Sequence, residues 1–243
     1  MIVHTEAIVL KTFDFRETSR IAIFFTKDCG KLKGVLKGIR KDQKKFGSSV
    51  DRFSINDIVF YRYSRSDLHL ISQCDLKEYF FSIRQDYERS MAANYVLELV
   101  DRVMPPEHEN EDVYQLMLNF LRSLDTAHNI DKLVHIFQIK ILGLSGFKPH
   151  LDSCVKSGKK IKGRAGFSHK LGGLISPEYI TDPQECPMIS PGTVASILYI
   201  EKNKWDNCCR LGLTANVRKE LKFVLNNFLV YHLERDLKTA KYL

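Results

Sequence analysis

The stretch Lys31-Leu-Lys-Gly-Val-Leu-Lys-Gly-Ile-Arg40 combines charged and apolar residues with the two-residue period of a β-strand. Lys31, Lys33 and Lys37 share one face of this strand, and the two leucines share the other. The leucine face suits a protein core, and the lysine face suits an anion. The two glycines indicate a sharp bend of the sheet or the close approach of another backbone. The stretch therefore predicts one basic strand of a small, curved barrel.

Basic residues continue past this strand into the polar segment from Arg40 to Ser49, which suits a clamp for a phosphate backbone. The whole chain has 37 Lys and Arg against 29 Asp and Glu, and the resulting formal charge of +8 favours polyanions. An anionic membrane surface fits less well, because these cations do not follow one face of an amphipathic helix. The candidate phosphate-binding residues are Lys31, Lys33, Lys37, Arg40, Lys41, Lys44, Lys45 and Arg52.

The distribution of apolar residues and cysteines narrows the class of protein. No apolar run approaches the ~18 residues of a membrane span, and polar residues interrupt the N-terminus too early for a secretory signal. We therefore expect a cytoplasmic protein. The 6 cysteines include no C-x-x-C pair, so neither a disulfide framework nor an intact four-thiolate zinc site is indicated.

Residues 1 to 80 consist of alternating β-branched and aromatic segments between turn residues. Five short antiparallel strands in this length predict an OB-type barrel, an architecture that binds oligonucleotides on one face. The predicted strands are Glu6 to Lys11, Arg20 to Thr26, the basic stretch, about Asp57 to Tyr63, and Leu68 to about Tyr79.

From Ile83 the apolar period changes to three or four residues, which is typical of helices packed on a core. The predicted helices are one ended by Pro105 and Pro106, then about Asp112 to Leu124, Asp131 to Leu144, Pro191 to Glu201 and Ala215 to Leu233. The predicted fold class is α+β. An N-terminal five-stranded OB-type β-barrel over residues 1–80 precedes an α-helical C-terminal domain over 81–243, which contains an irregular insert at about 147–190.

Motifs of catalysis are missing from the sequence. It contains no Gly-rich phosphate loop, no dinucleotide fingerprint, no His-Glu-x-x-His and no Gly-x-Ser-x-Gly. Asp28, Asp57 and Asp67 could gather a metal for a nuclease, but turn formation is the simpler interpretation. The scattered histidines are interpreted as surface or hydrogen-bonded core residues. We therefore predict a binding protein and not an enzyme.

Several segments resemble, in order and spacing, the bacterial recombination and repair proteins of the RecO family. Near the N-terminus they are Ala7-Ile-Val-Leu-Lys11, Glu17-Thr-Ser-Arg-Ile21, Phe25-Thr-Lys-Asp-Cys-Gly-Lys31 and Lys37-Gly-Ile-Arg40. The resemblance continues through Ser66-Asp-Leu-His69, Ala93-Asn-Tyr-Val-Leu-Glu-Leu99 and Leu142-Gly-Leu-Ser-Gly-Phe147 to Lys238-Thr-Ala-Lys-Tyr-Leu243. It thus covers essentially the whole chain.

The resemblance implies a non-enzymatic DNA-binding protein with an N-terminal OB-fold and a helical C-terminal domain. Members of this family bind single- and double-stranded DNA and anneal complementary strands. They engage the acidic C-terminal tail of single-strand-binding protein and work with RecR to load recombinase. This role agrees with the basic residues above, which bind phosphates without regard to sequence, and with a location at the nucleoid. Phe46, Tyr61 and Tyr63 are candidate stacking platforms for bases, whereas Phe53 is interpreted as core.

The chain departs from the family pattern in the insert, where many relatives carry two C-x-x-C pairs. Cys154 keeps the first thiol, but Ser157, Ser176 and Tyr179 stand at the other three positions. One thiolate cannot build a tetrahedral structural zinc site. We therefore predict that the zinc site has degenerated and that the protein has no metal cofactor.

Three other functions are compatible with the charge pattern. An OB-fold protein that binds RNA or acts in translation would carry similar basic residues. A pure adaptor would use its helices to hold protein tails and its basic residues only for solubility. A metal-dependent nuclease ranks below both, because no ligand spacing demands a metal.

Overall fold

The structure is a computed structural model that describes residues 1–41, 46, 50–182, 185–233 and 237–242. Its first five strands are β1 (Ile2–Phe15), β2 (Ser19–Thr26), β3 (Gly30–Leu36), β4 (Ile55–Tyr61) and β5 (Leu68–Glu78). These strands close a barrel in the order β1-β2-β3-β5-β4. The predicted α+β class and OB-type barrel are confirmed.

The expectation that all strands pair antiparallel is wrong at one place, because β3 and β5 run parallel. The other four neighbouring pairs of the barrel are antiparallel. Strand direction cannot alternate all the way round a closed ring with an odd number of strands. A five-stranded barrel therefore needs at least one parallel pair, and the strand order assigns it to β3 and β5.

The interior of the barrel is filled by alternate residues of the strands, including Phe24, Leu32, Leu36 and Phe60. Gly34 faces the same interior, where an added Cβ would lie 2.5 Å from the Ile71 side chain. Gly34 thus makes room for the Ile71 side chain. The close approach of another backbone, one of the two alternatives that the sequence left open, does not occur here.

Strand β3 ends at Leu36, so Lys37 lies in the turn that follows and not in the strand, as predicted from the alternation. Gly38, the second glycine of the basic stretch, adopts φ +78° in this turn with open space around it. A left-handed conformation at this position favours glycine, because it carries no Cβ. The basic stretch is therefore a short strand followed by a turn.

Seven helices follow in the described part of the chain. They are α1 (Phe81–Gln85), α2 (Tyr87–Val103), α3 (Glu111–Thr126), α4 (Ile130–Leu144), α5 (Pro191–Lys202), α6 (Trp205–Arg210) and α7 (Ala215–Leu233). Polar side chains cap the N-termini of α2, α3, α4 and α5, as helix starts require. Helices α1 and α6 are missed from the sequence because neither is long enough to show a period.

The insert contains three short strands, β6 (Ala165–Ser168), β7 (Gly173–Ile175) and β8 (Met188–Ile189), in the order β7-β6-β8. Single-turn 3₁₀ helices occur at Pro177–Tyr179 and Ala240–Tyr242. Strands of two to four residues are too short to produce a readable alternation. The sequence therefore indicated only an irregular segment.

The chain forms two compact units, Met1–Ala127 and His128–Leu243. The first unit contains the barrel together with α1, α2 and α3, so it extends beyond the boundary at residue 80 that the sequence predicts. Tyr114 of α3 donates a hydrogen bond to Glu6 of β1 at 2.6 Å, and Arg122 pairs with Glu78 of β5.

Among the described residues, no helix combines the length and apolar character needed to span a bilayer.

Candidate nucleic-acid interface

The lysines of β3 lie on the outer face of the barrel, but they differ in their partners. Lys31 lies 3.3 Å from the carboxylate of Asp101 in α2, and its side chain is only 14% exposed. Lys11 of β1 binds the same carboxylate. Burial raises the pKa of Asp101, but the two lysines outweigh it and hold this pKa below its usual value. Lys31 thus ties α2 to the barrel, which limits its access to a phosphate.

Lys33 is exposed and forms an ion pair with Asp67 at 2.7 Å. Its hydrogen bond lowers the pKa of Asp67 from the usual value. Both side chains lie at the surface, where such pairs contribute little. A phosphate group could therefore replace Asp67 as the partner of Lys33.

The turn after β3 lies beside the turn between β1 and β2, where the Arg40 amide donates a hydrogen bond to the Thr18 carbonyl at 3.1 Å. Arg20 and Arg40 share the exposed carboxylate of Asp14, at 3.2 and 3.8 Å. The side chains of Lys37 and Lys41 form no ion pair or hydrogen bond within the described part of the chain, and both residues are exposed. This end of the barrel therefore presents two lysines that no described acidic side chain holds, beside two arginines that share one carboxylate.

We call the charged residues at this end of the barrel the basic rim. It contains two acidic residues, Asp14 and Glu17, and five cations, namely Arg16, Arg20, Lys37, Arg40 and Lys41. The sequence analysis missed Arg16 and Arg20. Arg20 is placed next to the end of β3 by the pairing of β2 with β3, and Arg16 lies in the turn between β1 and β2, whose Thr18 carbonyl binds the Arg40 amide. Lys44 and Lys45 were predicted for the same role but lie outside the described residues.

Arg52 is also exposed, but its guanidinium donates to the Asn94 side chain of α2 at 3.1 Å. The predicted basic residues are therefore not one continuous cluster. Lys37, Arg40 and Lys41 belong to the rim, Lys33 lies on the strand before it, and Lys31 and Arg52 contact α2.

The candidate stacking residues divide into buried and exposed ones. Phe46 is 3% exposed and belongs to the barrel core, so the prediction that it offers a platform for a base is wrong. Phe53 is buried, in agreement with its interpretation as core. Tyr61 and Tyr63 are exposed, as a stacking role requires, and so is Phe13, which the sequence analysis did not single out.

The insert brings together three of the four positions at which zinc-binding relatives carry cysteine. The Cys154 thiol is buried and accepts a hydrogen bond from the Ser176 amide at 3.3 Å. Burial raises the pKa of this thiol, but hydrogen bonds from Ser157 and Ser176 outweigh it and lower the pKa to about 6. The Tyr179 amide donates to the Ser176 carbonyl at 2.9 Å.

These residues do not supply the donors that a structural zinc ion needs. A closed tetrahedral site takes four thiolate or imidazole ligands, whereas this position offers one thiol and two serine hydroxyls. In the described part of the chain, no group of three or more His, Cys, Asp or Glu side chains is placed to hold a metal. The Cys154 sulfur is instead held by hydrogen bonds from Ser157 and Ser176.

Two family models match the chain. "Recombination protein O N terminal" covers residues 1–80, and "Recombination protein O C terminal" covers residues 84–241. Proteins named DNA repair protein RecO are similar over nearly the whole length. The protein of Desulfatibacillum aliphaticivorans is 29% identical over 99% of this chain and 96% of its own length. That of Alkaliphilus metalliredigens is 30% identical over 97% and 95%, respectively.

Proposed function

The chain belongs to the RecO family of DNA repair proteins, and from that premise we propose that it is a DNA-binding recombination mediator. In this proposal the protein binds single- and double-stranded DNA, anneals complementary strands and helps to load recombinase onto DNA coated with single-strand-binding protein. It acts at the nucleoid and without catalysing a reaction of its own.

The basic rim is the observation that carries this proposal. Its cations stand at one end of a closed OB-type barrel, and two of them, Lys37 and Lys41, are not held by acidic side chains in the described structure. Ionic contacts with phosphates release counterions and do not depend on base sequence. Annealing needs such contacts, because the protein must hold any pair of complementary strands.

RecR and the acidic tail of single-strand-binding protein are the proposed protein partners. A groove of about 640 Å³ between α7 and the insert supports the second of these. Its lining includes the exposed apolar side chains of Met188 and Phe223 together with Lys219, Lys222 and Arg164, the last paired with Glu220 of the same lining at 3.5 Å. Apolar side chains beside lysines suit a peptide that combines acidic and hydrophobic residues.

Substitution of the rim tests the proposal. In the Lys37→Ala/Arg40→Ala/Lys41→Ala variant, we expect weaker binding to single strands and duplexes and slower annealing of coated complementary strands. Log affinity falls linearly with log salt concentration, and each lost phosphate contact makes this slope less steep by about 0.9 for duplex DNA and about 0.7 for single strands. Affinity measured over a salt series, together with annealing followed by fluorescence, gives both quantities.

The matched control removes three exposed cations from the second unit, as Lys202→Ala/Lys204→Ala/Arg210→Ala, with the same change in net charge. If both variants lose binding equally, net charge and not the rim is responsible. If the native protein anneals no strands, the mediator role itself fails. A preference for RNA over DNA oligomers in competition would favour an RNA-binding function.

A further inference from the structure

Strand β1 extends past its pairing with β4, and its last residues have a strand neighbour on one side only. The pairing with β4 ends at Ile8, and Val9 makes the last backbone hydrogen bonds on that side. From Lys11 to Phe15 the strand pairs with β2 alone. Within the described residues, no backbone hydrogen bond reaches its other side. We call this side of residues 11–15 the β1 edge.

The β1 edge is open to solvent at its centre. Phe13 is 51% exposed and the Asp14 side chain 59%, while Thr12 and Phe15 are half-buried. Alternate residues of an antiparallel strand direct both the N–H and the C=O away from the neighbour that they already have. Such an edge is a template for one more strand, and native proteins often block it with proline. Residues 11–15 contain no proline, so the edge keeps its capacity to pair.

The sequence of the β1 edge is complementary to itself. An antiparallel pair centred on Phe13 sets this residue opposite Phe13 of a second copy. It also sets Lys11 opposite Phe15, and Thr12 opposite Asp14. Aromatic pairs, a cation beside an aromatic ring, and a hydroxyl beside a carboxylate all stabilise neighbouring strands, and no like charges stand opposite each other. Because the paired residues differ by an even number of positions, their side chains share one face of the joined sheet.

The β1 edge leads directly into the basic rim. Asp14 of the edge binds Arg20 and Arg40 of the rim. Arg16 follows Phe15 in the turn and is exposed. In the antiparallel pair, the two copies of Arg16 stand three residues to either side of the centre, or about 20 Å apart along the strands. This spacing exceeds the screening length of about 8 Å at physiological salt, so the two rims repel each other only weakly.

We propose that the β1 edge pairs antiparallel with the same edge of a second copy of the chain, in a two-fold symmetric dimer centred on Phe13. Each copy then presents one basic rim, and the two strands that are to be annealed are held by different copies. The proposal rests on the annealing function proposed above and adds the assembly that performs it. Two strands of this length bury little surface, so the dimer is weak and its population depends on protein concentration.

The position of Phe13 on the symmetry axis provides the test, because a charge placed there meets an identical charge. We expect Phe13→Lys and Phe13→Glu each to weaken dimerisation about 10-fold, since the aromatic pair is lost and like charges meet. An equimolar mixture of the two variants sets a lysine opposite a glutamate and should recover the dimer. Sedimentation velocity over a concentration series, with and without an oligonucleotide, measures the mass of the native protein, each variant and the mixture.

Annealing by the same proteins separates the dimer from DNA binding. Binding of an oligonucleotide by one copy follows charge, so Phe13→Lys should strengthen it and Phe13→Glu should weaken it. Annealing needs two copies, so both variants should anneal more slowly than the native protein, and the mixture should recover the native rate.

Two controls make the result specific. Phe81→Lys and Phe81→Glu repeat the charge changes at an exposed position of α1, outside the β1 edge, and should leave the mass in solution unchanged. Thermal unfolding of each variant identifies any loss of dimer that is due to misfolding.

A native protein that stays monomeric at every concentration, with and without oligonucleotide, would overturn the proposal and leave DNA binding by the rim intact. The edge would then be open to an extended segment of a different protein. A mixture that dimerises and anneals no better than its separate variants, or an equal effect of the Phe81 variants, would also contradict the proposal. If the native protein dimerises through the edge but anneals no strands, the edge contact stands and the mediator function fails.

Discussion

At the scale of single residues, His135 in α4 determines part of the pH dependence of stability. The residue is 5% exposed, and its Nδ1 atom has no hydrogen-bond partner in the described structure. Burial lowers its pKa from 6.5 to about 4, with Asp131 on the same helix opposing this shift and Lys222 and Arg218 of α7 adding to it. The folded protein therefore keeps the imidazole neutral.

The unfolded chain takes up this proton near pH 6.5 and the folded chain only near pH 4. The contribution of the neutral His135 to the unfolding free energy is therefore fully present above pH 6.5. It is lost as the pH falls toward 4, by roughly 2–3 kcal/mol. In His135→Leu we expect a smaller loss of unfolding free energy between about pH 7 and pH 4, measured by urea denaturation. His128→Leu, at an exposed position, is the control, and an equal pH dependence in both variants would contradict the assignment.

The sequence shows which residues carry charge, but it did not predict which of them form ion pairs in the folded protein. Lys31 and Lys33 are equivalent in the alternating pattern, yet Asp101, distant in sequence, holds only the first. His135 was interpreted as hydrogen-bonded, whereas its Nδ1 is not. Phe46 was expected to offer a stacking platform for a base, whereas it is buried in the barrel core. In each case the outcome depends on tertiary packing, which local spacing does not encode.

At the scale of elements, the start of β3 places Gly30 against the segment after α2. Gly30 has φ +66°, and an added Cβ would lie 2.1 Å from the backbone oxygen of His108. The adjacent Lys31 carbonyl accepts a hydrogen bond from the Glu107 amide at 2.8 Å. A side chain at residue 30 would therefore push two backbone segments apart.

We expect Gly30→Ala to reduce the unfolding free energy by about 1–3 kcal/mol more than Gly38→Ala. Both glycines have positive φ, so the strain of a left-handed alanine is common to the two variants and cancels. Gly38 has open space around it, so only Gly30→Ala adds the clash. Thermal and urea unfolding measure the difference, and equal destabilisation would show that the segment after α2 moves aside freely.

Period and turn chemistry predicted the five barrel strands and the five longer helices, because each repeats its pattern several times. Strand ends were less accurate, and β1 runs from Ile2 to Phe15 where only Glu6 to Lys11 was expected. A register shift between Val9 and Lys11 interrupts the alternation there. The parallel pair follows from closure of the barrel, which no single segment reveals.

At the scale of the whole molecule, the first compact unit includes three helices beyond the barrel. Phe25 shows why the barrel depends on them. It pairs with Lys31 on the outer face of the barrel and lies outside the barrel core cluster, yet it is fully buried. Residues outside the barrel must therefore cover it.

We expect a fragment of residues 1–127 to unfold cooperatively on heating and a fragment of residues 1–80 to be much less stable. The shorter fragment exposes Phe25, which amounts to a loss of about 1.5–3 kcal/mol. It also removes Asp101, the partner of Lys11 and Lys31, and Tyr114, one of the two partners of Glu6. Calorimetry and circular dichroism distinguish the two. Equal stability would place the boundary of the N-terminal domain at residue 80, as the sequence suggested.

The single parallel pair gives the barrel a seam. Strands β3 and β5 meet at only three register positions, whereas β1 and β4 meet at seven. Parallel pairs are slightly weaker per residue, and this pair is also the shorter of the two, so we expect the barrel to open between β3 and β5 first when it is heated.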